Sequence, residues 1–296
     1  MNFKTKYNQW VELVNTELDH LVRESELPQG SIFKAMRYSL MAGGKRLRPV
    51  LALAVNEMFG GDEKWVLPFG CAVEMIHTYS LIHDDLPAMD NDDYRRGMLT
   101  NHKVYGEALA ILAGDALLNY AFEVMSEHIL KENKRMVSGV RAMNLIARSS
   151  GVFGMIGGQV VDLESEGKVI SLETLRHMHK CKTGALIKAP ILAAAVINQV
   201  SEEEYQCLEI YAEKIGLAFQ VKDDILDVEG DSEILGKPVG SDENNSKSTF
   251  VSIYGLKESK KMLEELIQEA ITEIERFGER SGFLKELALY IMDRSN

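Results

Sequence analysis

Two short acidic clusters, Asp84-Asp85-Leu86-Pro87-Ala88-Met89-Asp90 and Asp223-Asp224-Ile225-Leu226-Asp227, lie 139 residues apart, and each closes a stretch that otherwise reads as apolar helix. Six carboxylates carried by two helices toward one core repel strongly at low dielectric, so such a fold needs positive charge between them. Hard oxygen ligands point to Mg²⁺, which keeps waters when few carboxylates bind it and takes its remaining ligands from substrate phosphates. Arg95-Arg96 follows the first cluster, and Lys237 and Lys247 follow the second, which together suit a diphosphate. A solvated helix end accounts for one such cluster. It does not account for two, each behind a buried-looking run (Val73 to His77, Ile215 to Phe219) and each followed by cations.

No Pro-, Gly- or Ser-rich linker and no charge block divides the 296 residues, so a single domain over residues 1–296 is expected. Six prolines, few β-branched runs and long stretches rich in Ala, Leu, Glu, Lys and Met predict an all-α fold. The net charge of -12 argues against nucleic acid or an anionic membrane as partner, since both require a basic face. Cys71, Cys181 and Cys207 are odd in number and lack metal-ligand spacing, which suits reduced thiols in a cytoplasmic protein. Residues 1–21 read as an amphipathic helix carrying Trp10, Val14 and Leu18, and not as a signal peptide. The most apolar stretch, Ala185 to Ile197, is interrupted by Lys188 and Pro190; no membrane-length run and no stable membrane anchor are expected.

Local signals place the clusters. Ser31 is a candidate cap for a helix ending before Gly43-Gly44, which puts Lys45, Arg46 and Arg48 at a helix junction. A helix from about Lys64 to Leu86 sets His77 and Asp84 on one face, two turns apart. An unbroken helix would point Asp84 and Asp90 about 120° apart, so Pro87 is expected to break it and swing Asp90 back. Asp223 and Asp227 share a face without any break. Ser201 and Glu204 form a candidate capping box for their helix, and Gly230 to Ser248, with Lys237 and Lys247, is the candidate mobile lid. His177 and His179 are expected at the surface, and no zinc motif is found. Met75, Ile76, Tyr79, Ala116, Leu117 and Phe153 are candidates for lining an apolar channel.

Gly43-Gly44-Lys45-Arg46-Leu47-Arg48-Pro49, Glu74 to His77, Asp84 to Gly97, Lys182-Thr183-Gly184, Phe219 to Asp224 and Leu235-Gly236-Lys237 resemble, in chain order, the head-to-tail (trans-type) prenyl diphosphate synthases. The four-residue gap between Asp85 and Asp90 most resembles the bacterial farnesyl diphosphate synthases, or geranyltranstransferases. The resemblance implies the isoprenoid synthase type I fold, a homodimeric bundle of about a dozen helices around a central cavity. It implies three Mg²⁺ ions, Asp84 and Asp90 holding two and Asp223 the third, with Asp85, Asp224 and Asp227 in support. It further implies that Arg95, Lys182, Thr183, Gln220, Lys237 and Lys247 bind an allylic diphosphate, and that Gly44, Lys45, Arg48, His77 and Arg96 bind isopentenyl diphosphate. Asp84, Asp90, Arg95, Lys182, Asp223 and Lys237 are then the catalytic set, and Tyr79 the residue that limits product length.

The chemistry so implied is condensation of isopentenyl diphosphate with dimethylallyl and then geranyl diphosphate. Cations stabilise the departing diphosphate, the alkene attacks the allylic cation, and a proton is lost. The released diphosphate is the expected base, because no isolated carboxylate or His is left unassigned. Alternatives are a geranylgeranyl diphosphate synthase and a non-catalytic subunit of a hetero-oligomeric synthase; a scaffold would need neither Asp cluster. A terpene cyclase would lack the second diphosphate site at Gly43 to Arg48. A di-iron bundle would need Glu-x-x-His on two helices.

Overall fold

Tyr7, Trp10, Val14 and Leu18 recur three and four residues apart and are all buried, so Phe3–Leu21 forms a helix, α1, with one apolar stripe turned inward. The computed structural model describes residues 2–131, 135–168, 170–229 and 248–294. After α1 come α2 (Gly30–Leu40), α3 (Leu47–Met58) and α4 (Glu63–Asp84). A two-residue hairpin follows, β1 (Tyr94–Arg95) antiparallel to β2 (Met98–Leu99). Then come α5 (Asn101–Tyr105), α6 (Glu107–Leu130), α7 (Met136–Ser150), α8 (Met155–Ser165) and α9 (Leu172–His179). A π-helical turn, Lys180–Gly184, leads into α10 (Ala185–Ile197), and α11 (Glu202–Glu229) follows. The chain closes with α12 (Phe250–Tyr254), α13 (Leu256–Ile274), a 3-10 turn (Glu275–Ser281) and α14 (Gly282–Asp293). The all-α expectation holds: among the described residues the hairpin is the only sheet.

Two helices are central because they are apolar on nearly every face. α4 is buried from Trp65 to Ile82 at most positions, and α10 buries Leu186, Ile187 and the run from Ala189 to Ala195. α4 packs along α6 and α3, and α10 packs against α7, α3 and α11. By length and hydropathy α4 and α6 are each sufficient to span a membrane, which corrects the expectation that no segment reaches that length. Isolated polar residues such as Glu74 and His77 dilute the apolar character of α4 only slightly, and its apolar surface is spent on the protein core.

The ends of these helices show where local signals hold. Ser201 Oγ accepts from the Glu204 N–H at 3.3 Å while Glu204 Oε2 accepts from the Ser201 N–H at 2.8 Å, the expected reciprocal cap. Ser31 is no cap. α2 begins one residue earlier, at Gly30, with no side-chain cap; a Cβ on Gly30 would stand 2.2 Å from the Ser25 carbonyl, so the preceding loop closes onto a residue that must be glycine. His179 is also misread by sequence: it is buried, with its ring 5.4 Å from that of Phe250, because α9 turns its last residue under α12. His177 is exposed as expected. The three cysteines are free thiols.

Candidate active site

α4 ends at Asp84, and the chain then turns so that the Asp90 N–H donates to the Asp84 carbonyl at 2.9 Å. The straight helix is avoided and Asp90 returns to Asp84, as the Pro87 argument requires. Burial pushes the Asp84 carboxyl up to about 6; Lys182 opposes this, and the nearby Asp90 and Asp85 add to it. Asp85 is buried beneath and receives Arg95, whose Nε reaches Asp85 Oδ1 at 2.7 Å and whose Nη2 lies 2.6 Å from the same oxygen. Burial raises Asp85 as well, against the pull of Arg95. The hairpin β1–β2 presents Arg95, and a guanidinium committed on one edge to Asp85 keeps N–H donors on its other edge.

Close enough to Asp84 to act on its carboxyl, Lys182 is carried with Thr183 on the π-helical turn. α8 approaches this turn so closely that a Cβ on Gly158 would lie 2.2 Å from the Lys182 backbone nitrogen. Lys182 Nζ meets Asp162 Oδ2 at 2.5 Å. Thr183 Oγ1 donates to Gln220 Oε1 at 2.9 Å, Gln220 Nε2 donates to Asp224 Oδ1 at 2.9 Å, and Asp224 Oδ2 accepts the Phe250 N–H at 2.7 Å. Asp224 and Asp227 are buried, whereas Asp223 is partly exposed and pairs with Arg294 at 2.6 Å.

The second basic group sits at the α2–α3 junction. Arg46 adopts a left-handed backbone (φ 50°) and turns inward to Glu74 at 2.9 Å, with the Leu40 carbonyl and Asn15 as further acceptors. It is a buried strut. Lys45 is fixed through its carbonyl, which accepts from the Tyr7 hydroxyl at 2.6 Å. Burial holds the Lys45 amine down to about 8, with Arg294 and Arg96 pushing the same way and Asp223 opposing. Arg48 Nε is buried and has no hydrogen-bond partner among the described residues. Arg96 donates to the Gly43 carbonyl and lies over Gly44, where φ is +121° and a Cβ would stand 2.8 Å from the guanidinium carbon. His77 is held well below its usual range by burial and by Arg48, Arg96, Arg95 and Arg46, in that order. It is a neutral imidazole in a cationic corner, which suits an N–H donor to an anion.

The structure thus groups Asp84, Asp85, Asp90, Arg95, Lys182, Asp162, Thr183 and Gln220 on one side, and Lys45, Arg48, His77 and Arg96 on another. Lys237, Lys247 and the Gly230 to Lys247 part of the lid lie outside the described residues. Among those described, no three His, Cys, Asp or Glu side chains close a metal cage. A hard cation here therefore fits only with waters and phosphate oxygens in its shell, which is how Mg²⁺ binds.

Three polar residues were missed. Asp162, and Gln159 with a buried Nε2 that has no partner among the described residues, lie three apart on α8; a single acid in an apolar helix gives little signal. Arg294 is two residues from the end of the sequence and gave none. Tyr79 is buried, five residues before Asp84, in edge contact with His83 at 5.5 Å; the His83 ring meets the Ile111 carbonyl of α6 at 3.0 Å. Phe153 does not join it. It is 78% exposed and lines a separate groove of about 910 Å³ between α7, α10, α11 and α13, because the α7–α8 loop carries it outward.

The family described as polyprenyl synthetase matches residues 29–280. A farnesyl diphosphate synthase of Micrococcus luteus is 46% identical over 95% of this chain and 97% of its own. A geranylgeranyl diphosphate synthase of Cyanophora paradoxa is 47% identical over 91% of each. A crystal structure described as an FPP/GFPP synthase from Zymomonas mobilis superposes with a TM-score of 0.88 at 37% identity, covering 98% of this chain and 99% of that one.

Proposed function

This chain belongs to the polyprenyl synthetase family, and from that premise we propose that it condenses isopentenyl diphosphate with dimethylallyl and geranyl diphosphates to yield farnesyl diphosphate. The observation that carries the reading is a pair of basic clusters close enough that Arg95 of one and Arg48 and Arg96 of the other all act on His77. One joins carboxylates to Arg95 and Lys182; the other holds Arg48 with a buried Nε that lacks a partner among the described residues. A single-diphosphate enzyme has no use for the second.

In this proposal Asp84 and Asp90 hold two Mg²⁺ ions and Asp223 a third. Bound there, the metal supplies charge neutralisation on the departing diphosphate. Arg95 and Lys182, each fixed from behind by a carboxylate, aim their remaining N–H donors at the same anion with little reorganisation. Thr183, whose hydroxyl donates to Gln220 Oε1, orients that amide so that its second N–H is a neutral donor, and Lys237 and Lys247 are assigned by motif to the same group. Lys45, Arg48, Arg96 and neutral His77 hold the second diphosphate, which keeps the isopentenyl alkene next to the allylic carbon. We take the released diphosphate to accept the proton.

A product of fifteen carbons is favoured by Tyr79, five residues and so a helical rise of roughly 7.5 Å before Asp84 along α4. A longer product is the second reading, because several relatives carry geranylgeranyl names. We further propose a cytoplasmic homodimer, in keeping with the charge of -12 and the free thiols. Calorimetric titration tests the two-site core of this proposal. An allylic diphosphate with Mg²⁺ and a non-reactive isopentenyl diphosphate analogue are expected to bind the same chain together, one each; mutually exclusive binding would contradict it.

A further inference from the structure

The guanidinium of Arg294 reaches from the end of α14 to the second acidic cluster. Its Nη2 donates to Asp223 Oδ1 at 2.6 Å and to the Phe219 carbonyl at 2.9 Å, and its Cζ lies 4.0 Å from the centre of the Phe219 ring. The Arg294 side chain is only 3% exposed, while that of Asp223 is 40% exposed. The arginine is thus anchored within the protein, while the carboxylate it holds is open to solvent. An aromatic face is a strong partner for guanidinium and a poor one for a small hydrated dication. These contacts therefore favour arginine at this place over metal.

We propose that Arg294 is a latch that occupies the cation position on Asp223, and that a divalent ion must displace it from Oδ1 to bind there. The inference rests on reading Asp223 as a metal ligand. A monodentate arginine and a metal ion compete for one carboxylate oxygen, so the latch sets the affinity of the third ion without contributing to those held by Asp84 and Asp90. Arg294 also stands near Lys45, which feels Arg294 and Asp223 with opposite sign. Displacing the latch therefore changes the charge beside the isopentenyl diphosphate cluster when the acidic side loads.

The test is Mn²⁺ binding to the full chain with saturating inorganic pyrophosphate, followed by electron paramagnetic resonance, in wild type, Arg294→Gln, Arg294→Lys and Asp223→Asn. Loss of one exposed-to-buried ion pair predicts that Arg294→Gln binds the weakest Mn²⁺ at least about fivefold tighter. Arg294→Lys, which keeps the charge, is expected within about twofold of wild type. Asp223→Asn is expected to lose one ion. If Asp223→Asn keeps every ion, the metal reading of Asp223 is wrong. If it loses one but Arg294→Gln binds Mn²⁺ no tighter than wild type, the latch alone is wrong, and circular dichroism of each variant separates this from misfolding.

Discussion

At the scale of single residues, burial decides which charges stay available for chemistry. Arg46 and Arg48 are two positions apart, yet one spends its guanidinium on Glu74 and two further acceptors while the other keeps a buried Nε without a partner among the described residues. A desolvated guanidinium in that state gains most from a phosphate oxygen. Arg48→Ala is accordingly expected to raise KM for isopentenyl diphosphate by about ten- to hundredfold with a smaller change for the allylic substrate, as initial-rate kinetics would report. An effect confined to the allylic substrate would reverse the two assignments. His179 offers a pH test. Burial holds its imidazole down to about 4 from a model-peptide value of 6.5, so the unfolded chain binds the proton more readily. A depressed folded value means stability present above pH 6.5 and lost as pH falls toward 4, amounting to about 3 kcal/mol. Thermal melts of His179→Phe should lose much of that acid dependence, and an unaltered slope would show that His179 is not responsible.

At the scale of elements, α4 joins the two ends of the proposed substrate channel. Its last residue, Asp84, faces the diphosphate side, and Tyr79 closes against His83 and α6 below. Tyr79→Ala is expected to let the product pass fifteen carbons to twenty or more, with condensation rates within about tenfold of wild type because no phosphate or metal contact is removed. Chromatography of the hydrolysed products reads this directly; a variant that remains active and still stops at fifteen carbons would place the floor elsewhere. The periodicity of α4 and the Asp84 to Asp90 break were legible in sequence because both follow from backbone geometry: 3.6 residues per turn, and a proline that cannot continue the ladder. The π-helical turn at Lys180–Gly184 was not legible. It arises where α8 comes within contact distance of the Lys182 backbone at Gly158, a tertiary event that leaves no local pattern.

At the scale of the whole molecule, the helices bring two charge systems within electrostatic reach of one another at His77, in a chain whose net charge is -12. Among the described residues, Asp84 lies close enough to Lys182 and Arg95, and His77 to Arg48, Arg96 and Arg95, for their charges to act on it, because the helices that carry or flank them are fixed by apolar burial. Asp162 and Arg294 escaped notice for the opposite reason: their partners, Lys182 and Asp223, are 20 and 71 residues away in sequence and meet them only through packing. His179 and Phe153 were placed on the wrong side of the surface because neither lies in a run long enough to define a face. The central claim, that this fold joins two diphosphates through their hydrocarbon parts, has a direct measurement. Purified protein is incubated with Mg²⁺, isopentenyl diphosphate and, in separate reactions, dimethylallyl, geranyl and farnesyl diphosphate, and the products are identified by mass spectrometry. Farnesyl diphosphate is expected from the first two primers with little elongation of the third; failure to condense any primer with isopentenyl diphosphate would contradict the account.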